Sequence, residues 1–131
     1  MSQLVESEFG GTREPSLIAN EMSAQSLYDK CMAVARNLWW TWQPEVIALF
    51  RDIDPIRWRQ LDHNPIALLR EFTPERLAVR VAEMVLYSRI NYAYRRLKEY
   101  VGRTQTWAAT NAGVLGGKPV AYFSAEFGLH E

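Results

Sequence analysis

Three stretches of the chain carry residue types able to do chemistry. Asn37-Leu38-Trp39-Trp40-Thr41-Trp42 places three indoles within four positions. Consecutive helical residues project about 100° apart, so Trp39, Trp40 and Trp42 cannot all face one way, and at least one points outward or into an interface. The flat face of an indole matches the apolar face of a pyranose ring while hydroxyls bond at its edge. The cluster therefore reads as core packing, as a sugar platform or as a domain interface. Asp52, Asp54, Asp62 and His63 lie close together, and paired carboxylates are what acid/base cleavage of a glycosidic bond requires. Each has a local explanation instead. Asp54 precedes Pro55 and Asp62-His63-Asn64 precedes Pro65, as helix caps do, while Asp52 can pair with Arg51 or Arg57. The third stretch, Ser124-Ala125-Glu126-Phe127-Gly128-Leu129-His130-Glu131, follows a short apolar run. Polar groups just past the carboxyl end of a strand sit where open α/β sheets bind ligands.

Other chemistries lack their residues. No Gly-x-Ser-x-Gly elbow occurs, and Gly113-x-x-Gly116-Gly117-Lys118 has the wrong spacing for a Walker loop and precedes an expected strand, where a phosphate loop follows one. The single cysteine, Cys31, has no disulfide partner, and with only His63 and His130 beside it there is no metal-ligand spacing. On an apolar helical face it reads as a small buried hydrophobe. With 131 residues, 48% of them hydrophobic and 23% charged, the composition is that of one globular domain. A formal net charge of zero removes the positive field that nucleic-acid binding draws on. No apolar run approaches the roughly 20 residues of a membrane span, and the first residues form no signal peptide, so the expected location is the cytoplasm. Residues 1–30 sum to a charge of minus three and residues 76–103 to plus five; the two segments either match each other or form separate solvated faces.

The elements that must position these residues are mainly helical. Residues 1–22 mix Ser, Gly, Glu, Thr and Pro without a period and read as a flexible lead-in. From Ser23, Leu27, Cys31, Val34, Ala35, Leu38 and Trp42 recur at three or four residues, predicting a helix to Trp42. Pro44, Pro55 and Pro65 each stand at a helix start, predicting short helices from Pro44, over Pro55–Leu61 and over Pro65–Phe72. Thr73-Pro74 opens a fourth, uninterrupted by Pro or Gly until Gly102, about 42 Å at 1.5 Å per residue. Val79, Leu86, Ile90, Ala93, Leu97 and Val101 form its stripe, widened by Leu77, Val81, Met84, Val85 and Tyr92. It is expected to be the central packing element of a helical domain over residues 23–103. Residues 104–118 then read as a linker, and Pro119 to Phe127 as a buried strand, which cannot satisfy its own backbone alone. Its partners are expected beyond Glu131.

Taken together, four segments in order resemble the start of bacterial and archaeal α-glucan (glycogen) phosphorylases: Asn37-Leu-Trp-Trp-Thr-Trp-Gln-Pro-Glu, Ile53-Asp54-Pro55-Ile56-Arg57-Trp58, His63-Asn64-Pro65-Ile66-Ala67-Leu68-Leu69, and Val120-Ala-Tyr-Phe-Ser-Ala-Glu-Phe-Gly-Leu-His-Glu. The resemblance covers roughly Ser26 to Glu131. It implies a helical N-terminal domain followed by the first strand, within residues 119–131, of a truncated GT-B catalytic domain, one of two Rossmann-like domains around a cleft. The implied reaction of the full-length glycosyltransferase is attack by inorganic phosphate on the terminal α-1,4-linked glucose of a glucan. Glucose 1-phosphate leaves with retention, assisted by pyridoxal phosphate. The resemblance places Glu126, with His130 beside it, near the glucan side of the cleft, and implies that the helical region packs on the catalytic body. The phosphate-binding residues and the cofactor lysine of such an enzyme fall outside these 131 residues, so this chain alone is expected to bind no cofactor and to be inactive. The competing reading is a self-contained, non-catalytic helical module that binds carbohydrate or protein, supported by the tryptophan cluster.

Overall fold

The computed structural model describes residues 15–115 together with Lys118 and Ala121, with the side chains of residues 15–22 and of Leu115 left out of the description. Among the described residues the fold is all helical: α1 (Pro15–Ala35), a 3-10 turn (Leu38–Trp42), α2 (Pro44–Ile53), α3 (Pro55–Gln60), α4 (Pro65–Arg70), α5 (Pro74–Glu83), α6 (Tyr87–Val101), α7 (Trp107–Asn111) and a second 3-10 turn (Gly113–Leu115). The expected strand and the candidate residues Glu126 and His130 lie outside the described residues.

Proline begins α1 to α5, where its missing N–H costs nothing because no helical acceptor exists there. The residue before each supplies the cap where it can. Asp54 Oδ1 accepts from the backbone N–H groups of Ile56 and Arg57 at 3.1 and 3.0 Å. Asn64 Oδ1 accepts from Ala67 at 3.0 Å, and Thr73 Oγ1 from Arg76 at 3.3 Å. Each such cap is worth about 1 kcal/mol.

Four boundaries depart from the sequence expectation. The first helix begins at Pro15 rather than Ser23, taking in residues 15–22 of the expected lead-in. It ends at Ala35, because the Asn37 side chain accepts from Trp39 N and starts a separate 3-10 turn. A short helix, α7, capped by Thr106, occupies part of the expected linker. The single long helix is two, α5 and α6, parted at Met84-Val85-Leu86. Val85 N donates to Ala82 O at 3.2 Å and Leu86 N to Val81 O at 2.9 Å, the paired bonds of a Schellman stop, with Val85 in the left-handed region at φ 54°.

The physical reason for the break is phase. Leu77 and Val81 are buried on α5, and Leu86, Ile90, Ala93 and Leu97 on α6. Leu86 lies five positions after Val81, a turn of about 140° in a continuous helix, so one unbroken rod could not lay both stripes on the same neighbour. That neighbour is α1, which packs against α4, α5 and α6 as well as the 3-10 turn. The centre of the packing is thus α1, with Leu27, Cys31, Val34 and Ala35 buried along it. Val79 and Val101, placed in the stripe by spacing, are exposed instead.

A second part of the core is aromatic. Trp40, Phe50 and Trp58 meet with ring centroids 5.8 to 6.2 Å apart, Phe50 stacked on Trp58 and Trp40 edge-on to both. His63 lies 5.3 Å from Trp58. The two cations Arg80 and Arg89 reach back to the end of α2: Arg80 Nε donates to Ile53 O at 2.7 Å and Arg89 Nη1 to Asp52 Oδ2 at 2.8 Å. Positive groups are favoured at that negative helix end.

Candidate functional site

Most of the residues singled out by spacing turn out to build the fold. Asp54 is an N-cap, and Asp62 and His63 close α3 with positive φ of 51° and 63°, His63 N donating to Trp58 O at 2.9 Å. Asp52 pairs with Arg51 and Arg89. The Arg89 hydrogen bond, chiefly, holds its carboxyl below the usual carboxylate range, against a smaller opposing effect of burial. Arg57 pairs with Glu71 rather than Asp52, its Nε donating to Glu71 Oε2 at 2.8 Å and its Nη2 to the other oxygen. These groups do not converge on a common point, and among the described residues no group of three His, Cys, Asp or Glu side chains could hold a metal ion. Burial pushes the Cys31 thiol up to about 12, which makes it an inert core residue.

The acidic start and basic end of the chain do not pair as ions among the described residues. Lys30 Nζ donates to the neutral Asn91 Oδ1 at 2.7 Å, and Arg80, Arg89, Arg95 and Arg96 take Glu83, Glu99 and Asp52 as partners.

Among the clefts that border α6, two lie against the start of α2. The larger, about 680 Å³, lies between the start of α2 and the middle of α6 and is lined by Glu45, Ser88, Arg89, Asn91, Tyr92 and Arg95 among others. Several of its polar groups are already engaged: Arg89 with Asp52, Asn91 with Lys30 and with Tyr87 O, Arg95 with Glu99 and over the Tyr92 ring at 5.7 Å. The smaller, about 320 Å³, is lined by Trp39, Trp42, Gln43, Arg96, Glu99, Tyr100 and Arg103. In a 3-10 turn residues three apart fall on the same edge, so Trp39 and Trp42 both border it while Trp40 turns to the aromatic core. Trp39 is 7% exposed and Trp42 79%, the outward-facing indole that the spacing required. Tyr100 is fixed between Trp39, 6.3 Å away, and the Arg103 guanidinium, 5.7 Å above its ring. The sequence reading named the tryptophans but not Arg96, Glu99, Tyr100 and Arg103, whose spacing of three, four and seven residues is the signal of one helical face.

Among the described residues no helix is long and apolar enough to cross a membrane. Comparison with known proteins places the geometry in context. Glycogen phosphorylase of Aquifex aeolicus (strain VF5) is 34% identical over 83% of this chain, and the chain covers 15% of that protein. Glycogen phosphorylases of Mycobacterium tuberculosis (strain CDC 1551 / Oshkosh) and Mycobacterium bovis are each 32% identical over 75% of the chain, which spans 12% of their length. No solved structure matches the chain. Residues 25–131 match the model of the family described as "Protein of unknown function (DUF3417)". The chain, a helical region that matches the N-terminal portions of glycogen phosphorylases, belongs to the DUF3417 family.

Proposed function

We propose that this region is the N-terminal helical part of an α-glucan phosphorylase acting in the cytoplasm. The observation that carries the reading is the 34% identity to the Aquifex aeolicus glycogen phosphorylase over 83% of the chain. In the whole enzyme, a phosphate oxygen bonds to the anomeric carbon of the terminal α-1,4-linked glucose. The bond to the departing glucan oxygen breaks, that oxygen takes up a proton, and glucose 1-phosphate forms with retained configuration. Glu126 and His130 face the glucan side of the cleft and hold sugar hydroxyls. The GT-B strand begins within residues 119–131, and the helical region packs on the catalytic body.

Pyridoxal phosphate belongs to the reaction of the whole enzyme but does not fit the described residues. A lysine that forms an imine with this cofactor needs a desolvated pocket to shed its proton. Lys98 and Lys118 are exposed, and Lys30 is tied to Asn91. We place the cofactor lysine elsewhere in the whole enzyme and expect the helical region alone to be inactive. The test is phosphorolysis of maltodextrin by the whole protein that carries this region, read as glucose 1-phosphate released. A folded whole protein that binds the cofactor yet releases none would overturn the proposal.

A further inference from the structure

The exposed face of Trp42 has no structural use among the described residues, while its neighbours in the first turn, Trp39 and Trp40, are both buried. Leaving an indole 79% in water forgoes the burial that makes tryptophan valuable to a fold. The ring is also rigidly mounted. It stands at the end of a 3-10 turn whose start is fixed by Asn37 and whose end is fixed by Gln43 N donating to Trp40 O at 3.0 Å. Beside it the cleft offers groups that bond hydroxyls rather than apolar side chains. Gln43 caps no backbone group with its side-chain amide. Glu99 supplies acceptor oxygens, and Arg96 and Arg103 supply donors. Tyr100 lines the cleft between Trp39 and Arg103.

We propose that this cleft, between the Leu38–Trp42 turn and the last turns of α6, is a non-catalytic binding site for α-1,4-linked glucan. Trp42 stacks on the apolar face of one glucose unit, and Gln43, Glu99, Arg96 and Arg103 bond the hydroxyls around it. One flat aromatic plate rimmed by amide, carboxylate and guanidinium is the arrangement that suits a pyranose, which is apolar on its face and hydroxylated at its rim. Glu99, 3.6 Å from Arg96 and 3.9 Å from Arg95, offsets one of these charges and sets an acceptor among the donors, which a hydroxyl, donor and acceptor at once, can use and an anion cannot. An apolar peptide would desolvate the Glu99–Arg96 ion pair and the Gln43 amide while offering them no hydrogen bond, which costs free energy. The site goes beyond phosphorolysis: it would tether the protein to a glucan particle, independently of where the bond is cleaved.

The test uses the 131-residue chain in native gels containing glycogen or dextran, with maltoheptaose titrated against indole fluorescence in solution. Retardation by glycogen but not by the α-1,6-linked dextran is expected. Trp42→Ala should abolish it and weaken maltoheptaose binding about tenfold or more. Trp107→Ala, which removes an indole 76% exposed outside the cleft, should leave both unchanged. Glu99→Gln, which keeps the shape and removes acceptor charge, should weaken binding without altering the helical circular dichroism. Free migration of the wild type through glycogen would overturn the proposal. So would full retardation of a folded Trp42→Ala chain, or equal loss in Trp107→Ala. Such a result would leave the phosphorolysis assay of the whole protein untouched, so the two readings fail separately.

Discussion

Val85 occupies a backbone conformation that its side chain resists, and replacing it by glycine should stabilise the domain. Its φ of 54° brings Cβ against the following carbonyl, which costs an L-residue roughly 1–2 kcal/mol, and branching at Cβ makes valine a poor occupant of that region. The side chain returns little, being 80% exposed. Glycine removes the clash but has more freedom to lose from the unfolded chain, about 0.5–1 kcal/mol. The balance favours Val85→Gly by about 0.5–1 kcal/mol. In urea unfolding followed by circular dichroism the midpoint should rise at constant slope, and Tm should rise by about 2–6 °C for a domain of this size. Val85→Ala keeps the Cβ and should gain less. Val79→Gly, in the exposed interior of α5, should lose stability as interior helical glycines do. A Val85→Gly chain no more stable than wild type would show that the α5–α6 stop is not strained at Val85.

Trp58→Ala should remove about 3–5 kcal/mol, since the ring is 4% exposed and joins Trp40, Phe50 and His63; thermal unfolding at or near room temperature is the expected reading. Cys31, its thiol pushed up to about 12 by burial, should ignore Ellman's reagent at about pH 8 in the native chain and react fully in guanidinium. The Asp52 carboxyl is held below its ordinary value of 3.8. Its contribution to stability should therefore be complete above about pH 4 and fade as pH falls through the lowered native value, a difference that Asp52→Asn abolishes in paired unfolding curves. In the whole enzyme, Glu126→Gln should cost roughly ten- to a hundredfold in glucan kinetics, the worth of a hydrogen bond to a charged group, with pyridoxal content unchanged.

The starts of α3, α4 and α5 were legible because Pro with a preceding Asp, Asn or Thr is a local signal, complete within four residues. The outward indole was legible too, since angular spacing alone forbade three buried tryptophans on one face. The break at Val85 was harder to read, because no Gly or Pro marks it. The spacing of five between Val81 and Leu86 did contain it, but the residues around it are apolar enough to look like a wider stripe. The pairing of Arg80 and Arg89 with the end of α2 joins residues 27 and 37 positions apart, a tertiary fact without local trace. Three of the four segments that made the chain recognisable, around Trp40, Trp58 and Asn64, prove to be cap and core residues. Candidate chemistry therefore had to be found on the opposite edge of the first of them.

The position of α1 has a bearing on synthesis. It leaves the ribosome before the helices it packs against, and the Lys30–Asn91 bond that ties it to α6 spans 61 residues. At ordinary elongation rates of 5–20 residues per second this is a delay of about 3–12 s. During it Leu27, Cys31 and Val34 have no α5 or α6 to cover them, while the aromatic cluster of Trp40, Phe50 and Trp58 closes from residues made close together. The residues that cover α1 are thus made after those that form the aromatic cluster.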